Sequence, residues 1–379
     1  MRLRTRGSVV ERFIHIEEVR GSNPLGSTMN ILFFSRLFYP HIGGVEKHVI
    51  EISRILIKKG HKVNIITEQH SQDLKIKELI EGIEVFRIPK LEKGGFKKFK
   101  IWKWLWDNRR LIKNADIVHC HDVFFWYLPF RFLFPFKKIF TTFHGYEGYP
   151  LKSKNILIHK ISEKLSMGNI CIGDFIKKWY GTKPTYVSYG GVSISEIKNH
   201  PFDKLRTKIK NENSAIFIGR LDEQTGILTY VEAVNILRKK IPSFDFLIIG
   251  DGNLKTEIGE KIKILNPVSN AAEYLKNYNF AFVSRYLSIL EAMTAKKMVF
   301  AVYDNPLKED YLRMAPFSRY ITISNSSSEL VSKINYYSDN LNEKEKIVEN
   351  AYKWVKNQTW EELSNVYLKL WRFDFLNQT

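Results

Sequence analysis

Short apolar runs alternate with amphipathic stretches twice along this chain, and that alternation constrains its fold more than any single motif. From Met29 the runs "NILFFS", "HKVNIITEQ", "IEVFRIP", "ADIVHCHD", "KKIFTTFHG", "NICIG" and "TYVSYGGV" read as strands, with helical segments such as "GGVEKHVIEISRILIKKG" among them. Short strands separated by helices predict parallel βαβ units. A polar stretch, "SISEIKNHPFDKLRTKIKNENS", interrupts the pattern, which then restarts at "AIFIGRL" and runs through "FDFLIIGDG", "FAFVS" and "MVFAV". The reading is an α/β protein of two doubly wound Rossmann-like domains facing a cleft. Residues 29–200 make the first domain and residues 201–358 the second. Residues 359–379 carry an amphipathic helix, "TWEELSNVYLKLWRF", expected to pack back toward the first domain.

A length of 379 residues suits two domains of ordinary size. The formal charge of +19 favours anionic partners: nucleotides, nucleic acid or acidic membranes. The lysines are dispersed and no nucleic-acid module is evident, so no nucleic-acid partner is expected. Two cysteines, Cys120 and Cys171, form neither a disulfide framework nor a metal-ligand spacing, which points to a reducing compartment. No apolar stretch is long enough to span a bilayer. Residues 1–28 are basic and lack the apolar core of a signal peptide. They lead poorly into the first strand and are expected to be a non-native or disordered extension.

In open α/β sheets ligands sit beyond the carboxyl ends of the strands, and most chemistry-bearing residues fall there. In "YPHIGGVEKH", Gly43 and Gly44 permit close backbone approach to a ligand at a helix start, or a tight turn with positive φ. His119 and His121 alternate on one strand and face one way, with Asp122 next. With His144 of "FHGYEG" they resemble a metal cluster, but the spacing supports no zinc site, and no metal is expected. Arg220, ending "FIGR", can hold a diphosphate through its forked donors or pair with Asp222 or Glu223. Glu291 of "SILEAM" is read into the first turn of its helix, where a carboxylate suits a ligand's hydroxyls or simply the helix dipole.

Between Lys90 and Lys113 lysines and arginines interleave with aromatic residues. On a helix Phe99, Trp102, Leu105 and Trp106 share one face, and Lys100, Lys103, Asp107 and Arg110 another. Phe99, Trp102, Lys103 and Trp106 are the candidates for contact with an acidic membrane. The apolar "VFFWYLPFRFLFPF" is interrupted by Pro129, Arg131 and Pro135, which argues against a spanning helix. It reads as buried packing or as part of the same patch.

Taken in order, "YPHIGGVEKHVIEIS", "ADIVHCHD", "TTFHGYEG", "VSYGGVS", "IGRLDEQTGILTYVEA", "IIGDGNL", "LEAM" and "TWEELSNVYLKLW" resemble the family 4 glycosyltransferases of the GT-B fold. The resemblance implies a retaining, metal-independent transferase that moves a sugar from a nucleotide-sugar donor to a glycan or lipid-linked acceptor. It implies no cofactor beyond that donor, and a cytoplasmic site, peripheral at the inner membrane face. By the same resemblance, Gly43 and Gly44 face the donor diphosphate or the acceptor. His144 lies near the transferred sugar, Arg220 neutralises the departing diphosphate, and Glu291 binds the ribose hydroxyls.

Three departures stand out. Thr225 replaces the lysine usual in "DEQTGI", and Val283 occupies the place of an earlier glutamate in a shortened loop, "SRYLSI". "YGGVS" stands where an asparagine and an aspartate are common. Loss of a cation opposite a diphosphate is worth about 3 kcal/mol in the transition state. Arg285 is the expected substitute and joins the donor-binding residues, with Lys296, Lys297 and Lys308 behind it. The alternative is a degenerate homologue that binds a nucleotide-sugar with little turnover.

Overall fold

The structure is a computed structural model that describes residues 28–90, 96–193, 211–259, 261–268 and 270–372. Residues 1–27, the domain boundary at 200/201 and residues 373–379 lie outside the described residues.

The first sheet holds β1 (Asn30–Ser35), β2 (Lys62–Glu68), β3 (Lys77–Ile80), β4 (Ile83–Ile88), β5 (Ile117–His121), β6 (Lys138–Phe143), β7 (Asn169–Ile172) and β8 (Tyr186–Ser188). Their spatial order is β3-β4-β2-β1-β5-β6-β7-β8. Every pair is parallel except β3–β4, a hairpin that the sequence pattern did not suggest because the exposed "KELI" carries no apolar run. The order reverses at β1, flanked by β2 and β5. This switch point opens the crevice where ligands bind in such sheets.

The strands are buried on both faces, which explains their continuous apolar character. Along β1, Ile31 and Phe33 enter the core shared with the second domain. Leu32 and Phe34 enter a separate core under the helices Lys97–Asp107 and Phe124–Leu133.

The second sheet holds β9 (Ser214–Ile218), β10 (Asp245–Ile249), β11 (Lys263–Leu265), β12 (Phe280–Phe282), β13 (Met298–Val302) and β14 (Thr322–Ser324), ordered β11-β10-β9-β12-β13-β14. All are parallel, and β9 lies at the switch point between β10 and β12.

The last helix, Trp360–Arg372, buries Trp360, Leu363, Tyr367, Leu370 and Trp371. Tyr367 reaches His48 of the first helix, Gly44–Lys58, so this C-terminal segment packs on the first domain. Polar bonds also cross between domains: Lys47 Nζ to Glu291 Oε1 at 2.5 Å, and Trp179 Nε1 to Asp310 Oδ2 at 2.9 Å. Among the described residues no helix is long and apolar enough to cross a membrane.

Candidate functional site

Both switch points aim the carboxyl ends of their strands at one cleft. From the second sheet come two guanidinium groups. Arg220 follows β9, and Arg285 caps the start of the helix Tyr286–Thr294 after β12. Gln224 joins them: its Oε1 accepts from Arg220 Nη2 at 3.3 Å and from Arg285 Nη2 at 2.8 Å. Arg220 also pairs with Asp222 at 3.0 Å, so the bland alternative foreseen for it is realised as well. Burial, and next the Arg285 charge, hold the Arg220 pKa below its ordinary value.

Arg285 sits among aromatic rings from both domains, 5.4 Å from the Tyr146 ring centre and 5.8 Å from that of Tyr311. Burial opposes its charge, but Tyr311, Tyr146 and Asp222 outweigh that and raise its pKa. Tyr311 stacks on Tyr286 at 4.0 Å, and its hydroxyl accepts the Tyr286 backbone N–H.

A third basic side chain, Lys308, is buried behind them. Its ammonium donates to the Ser284 carbonyl and lies 4.4 Å from the Tyr311 ring centre. Burial, then Arg285, push its pKa well below the lysine range. Two guanidinium groups held this close, with Lys308 behind them and Asp222 the one carboxylate paired to them among the described residues, form a site suited to a multiply charged anion. Lys296 and Lys297 do not join it. Lys296 lies 3.7 Å from Glu349, and Lys297 donates to the Lys276 carbonyl.

Two of the three departures in sequence, Thr225 and Val283, have structural work. Thr225 is buried, and its hydroxyl lies 2.8 Å from the carbonyl oxygens of both Arg220 and Asp222. It ties down the turn that carries Arg220. Val283 is 1% exposed and extends the β12 pairing through its N–H to Phe300. A carboxylate there would be buried in an apolar core.

Glu291 is corrected in one respect. Its helix begins at Tyr286, so Glu291 lies in the second turn and the helix-dipole explanation is lost. It pairs instead with Lys47 of the facing domain. Gly43 and Gly44 are corrected in another respect: neither has positive φ, so no left-handed turn requires them. Gly43 is extended, with φ −170°. A Cβ on Gly44 would meet Leu287 at 3.8 Å, which places the glycine loop directly opposite the start of the helix bearing Arg285 and Glu291. Gly190 does need its form: φ is +101°, and a Cβ would come within 2.4 Å of the same Leu287.

His144 follows β6 on the opposite wall. Its Nε2 lies 2.9 Å from His121 Nδ1, and its backbone N–H donates to Asp122. Ring nitrogens of His48, His121 and His144 lie within 4.8 Å of one another. Two of those nitrogens already share the His121–His144 hydrogen bond, so the cluster reads as a hydrogen-bonded network. His48 escaped the sequence analysis because it lies on an amphipathic helix, where nothing local marks the face that meets the strand ends. Lys47 and Gln224 were missed for a similar reason: charged and polar residues on amphipathic segments carry no signal of which face meets another domain.

The glycosyltransferase resemblance is now testable against known proteins. The description Glycosyltransferase Family 4 matches residues 42–195, and Glycosyl transferases group 1 matches residues 201–354. The chain belongs to this glycosyltransferase family.

Its fold agrees. A glycosyltransferase from Rickettsia africae superposes with TM-score 0.68 at 19% identity, covering 93% of this chain and all of that one. WaaG, described as a glycosyltransferase involved in lipopolysaccharide biosynthesis, gives 0.67 at 14%, covering 91% of this chain and all of that one. At these identities the likeness is one of fold, the two-domain GT-B architecture. Among curated relatives, the GPI3 component of the Saccharomyces cerevisiae phosphatidylinositol N-acetylglucosaminyltransferase is 38% identical over 60 residues, 16% of this chain and 13% of that protein. The phosphatidyl-myo-inositol mannosyltransferase of Mycolicibacterium smegmatis is 23% identical over 252 residues, 61% of this chain and 63% of that one. The chain thus matches less than two thirds of the length of either.

A second surface of this family member lies away from the cleft. The helix Lys97–Asp107 buries Ile101 and Leu105, while Phe99 and Trp106 are 61% and 50% exposed. The face foreseen as Phe99, Trp102, Leu105 and Trp106 is therefore split, with Leu105 turned into the core. Arg110 falls on a separate short helix, Arg109–Asn114. Trp102 is partly covered and donates to the Phe125 carbonyl at 3.0 Å, and Lys103 projects into solvent beside Asp107. The neighbouring apolar segment divides: Phe124, Trp126, Tyr127 and Phe130 are buried, whereas Phe132 and Phe136 are exposed. Between the two helices lies an open apolar hollow of about 480 Å³, lined by Trp102, Trp106, Pro129, Phe130, Phe132 and Leu133.

Proposed function

We propose that this protein transfers a sugar from a nucleotide-sugar donor to a lipid-linked or polysaccharide acceptor, with retention of configuration. The observation that carries this reading is the convergence of Arg220 and Arg285 on Gln224, with Lys308 behind them. When the bond from the sugar to the diphosphate breaks, negative charge grows on the departing phosphate. Fixed cations in a partly desolvated site stabilise that charge without reorganising. Two guanidinium groups, with the Lys308 amine behind them to take up a proton beside a bound anion, support neutralisation by the protein alone, so no metal is invoked. Arg285 takes the part of the lysine that Thr225 replaces.

Glu291 receives the ribose hydroxyls, displacing or sharing its bond to Lys47. Gly43 and Gly44 leave room at the facing loop for the donor diphosphate or the acceptor. His144 lies on the first-domain wall where the transferred sugar would sit. The names of the phosphatidylinositol-directed relatives support a lipid-linked acceptor. Exposed Phe99, Trp106, Phe132 and Phe136 near Lys98, Lys100 and Lys103 suit contact with an anionic membrane, in keeping with a cytoplasmic, membrane-peripheral enzyme.

The test is a thermal-shift panel of UDP-, GDP- and ADP-sugars. A stabilising donor whose effect disappears in Glu291→Ala and in Arg220→Ala is the expected result. Absence of any shift in the parent protein would overturn the donor site. Binding without slow donor hydrolysis would favour the degenerate alternative, to which Thr225 and Val283 lend weight.

A further inference from the structure

Four histidines, His48, His119, His121 and His144, gather behind the first-domain wall of the cleft, and their hydrogen bonds have a definite direction. The direction starts at Trp371 on the last helix. An indole N–H can only donate. Trp371 Nε1 lies 3.0 Å from His119 Nδ1, so that nitrogen is bare and accepts. In a neutral imidazole the proton then resides on Nε2. His119 Nε2 lies 2.7 Å from Thr142 Oγ1 and donates to it.

The Thr142 hydroxyl must in turn place its own proton. Among the described residues its remaining partner is the Tyr367 hydroxyl at 2.9 Å. Tyr367 then donates to His48 Nε2 at 2.8 Å. His48 is left bare at Nε2 and protonated at Nδ1. The opposite sense from Thr142 onward would leave the Thr142 proton without an acceptor inside the core, a loss of about 1–3 kcal/mol.

A second argument orients the pair nearest the cleft. His121 is 1% exposed, and its Nε2 has no partner. A buried N–H without an acceptor costs more than a bare ring nitrogen. The proton of His121 therefore sits on Nδ1 and is donated to His144 Nε2 at 2.9 Å. His144 is half-buried and carries its own proton on Nδ1. All four rings are neutral: burial lowers each pKa, that of His48 to about 3, and for His119, His121 and His144 the neighbouring imidazoles lower it further.

We propose that the last helix writes the proton pattern of this cluster: Trp371 and Tyr367 are positioning residues that lock His119 and His48 in opposite tautomers. His121, in the same sealed cluster, makes His144 a hydrogen-bond donor through Nδ1–H. His144 thereby offers the cleft an N–H and cannot act there as a base. The C-terminal segment, remote in sequence, is a working part of the first-domain wall.

Long-range proton–nitrogen spectra of the full chain labelled with ¹⁵N-histidine read each tautomer directly, without substrate. Expected are Nε2–H on His119 and Nδ1–H on His48, His121 and His144. Trp371→Phe keeps an aromatic ring and removes the donor; the His119 Nδ1 resonance should then move toward that of a bare nitrogen accepting no hydrogen bond, while His121 and His144 keep their tautomers and shifts. Tyr367→Phe should free His48 alone. Thr142→Val cuts the same chain within the sheet, should Trp371→Phe prove unstable. An Nε2–H on His144, an Nδ1–H on His119, or a His119 Nδ1 resonance that does not move in Trp371→Phe would overturn the proposal.

One further arm rests on the proposed transferase reading. His144→Gln, which retains an N–H donor, should keep more donor hydrolysis than His144→Ala. Equal losses in the two variants, with the tautomers as stated, would count against the transferase role of His144 alone.

Discussion

Replacing Arg285 by methionine separates stability from function in a way that few other positions allow. The side chain is held between Tyr146 and Tyr311, and a methionine stem can occupy the same slot against the rings. Arg220 and Arg285 each lie within a hydrogen bond of the same Gln224 oxygen, so the bonded nitrogens are no more than about 6 Å apart. Two unit charges at about 6 Å repel by about 3 kcal/mol at an effective dielectric of about 20. Methionine removes that repulsion and, with it, the offsetting attraction of Asp222. It forfeits one hydrogen bond of about 1 kcal/mol and a cation–π contribution of about 1 kcal/mol. The balance leaves the free protein about as stable as the parent. With the diphosphate bound that balance fails. Losing one preorganised cation at the leaving group costs about 3 kcal/mol, or about a hundredfold in kcat/KM. Thermal melts with and without nucleoside diphosphate, together with initial rates of donor hydrolysis, measure both sides. A variant with a lower melting temperature and undiminished turnover would refute the reasoning, because Arg285 would then be a structural residue.

Three other outcomes follow from the same structure. Thr225→Lys restores the residue usual in the family, yet it should lower the melting temperature and leave turnover no higher, since the one hydroxyl proton shared between two carbonyls, worth about 1 kcal/mol, is lost and a charge enters a buried site. Acid should unfold the protein early: the pKa of His48 is lowered to about 3 and that of His159 to about 4, both from 6.5, so each contributes stability present above pH 6.5 and lost as pH falls toward those values. By pH 5 the loss is about 2 kcal/mol for each histidine, and a melting temperature flat between pH 7 and pH 5 would contradict it. Phe99→Ser combined with Trp106→Ser should weaken binding to anionic vesicles while donor hydrolysis in solution is unchanged; equal binding by parent and variant in a flotation assay would remove the membrane surface.

The βαβ pattern was readable because strands buried on both faces leave continuous apolar runs, and "NILFFS" or "MVFAV" can hardly sit elsewhere. The ends of those strands pointed to Arg220, Arg285, His144 and Glu291 for the same reason: in an open parallel sheet the position along the strand fixes which residue meets the crevice. Less of the second surface was readable. Helical spacing grouped Leu105 with Phe99 and Trp106, and the structure turned Leu105 inward with Ile101, because that stripe is the one that meets the core formed with Phe34 and Trp126.

By itself the sequence determined two doubly wound domains, the side of each sheet that carries chemistry, and a loop in which the family's lysine is missing. Only the tertiary structure decided which side chains gather beside that loop. Arg285 and Lys308 come from separate turns of the second domain, Tyr146 and Lys47 from the first, and Tyr367 and Trp371 from the last helix. Side-chain charges and hydrogen bonds act over a few ångströms, whereas these residues are tens to hundreds of positions apart in the chain. Their meeting depends on how two sheets and a returning helix close on one another, and no local pattern encodes it.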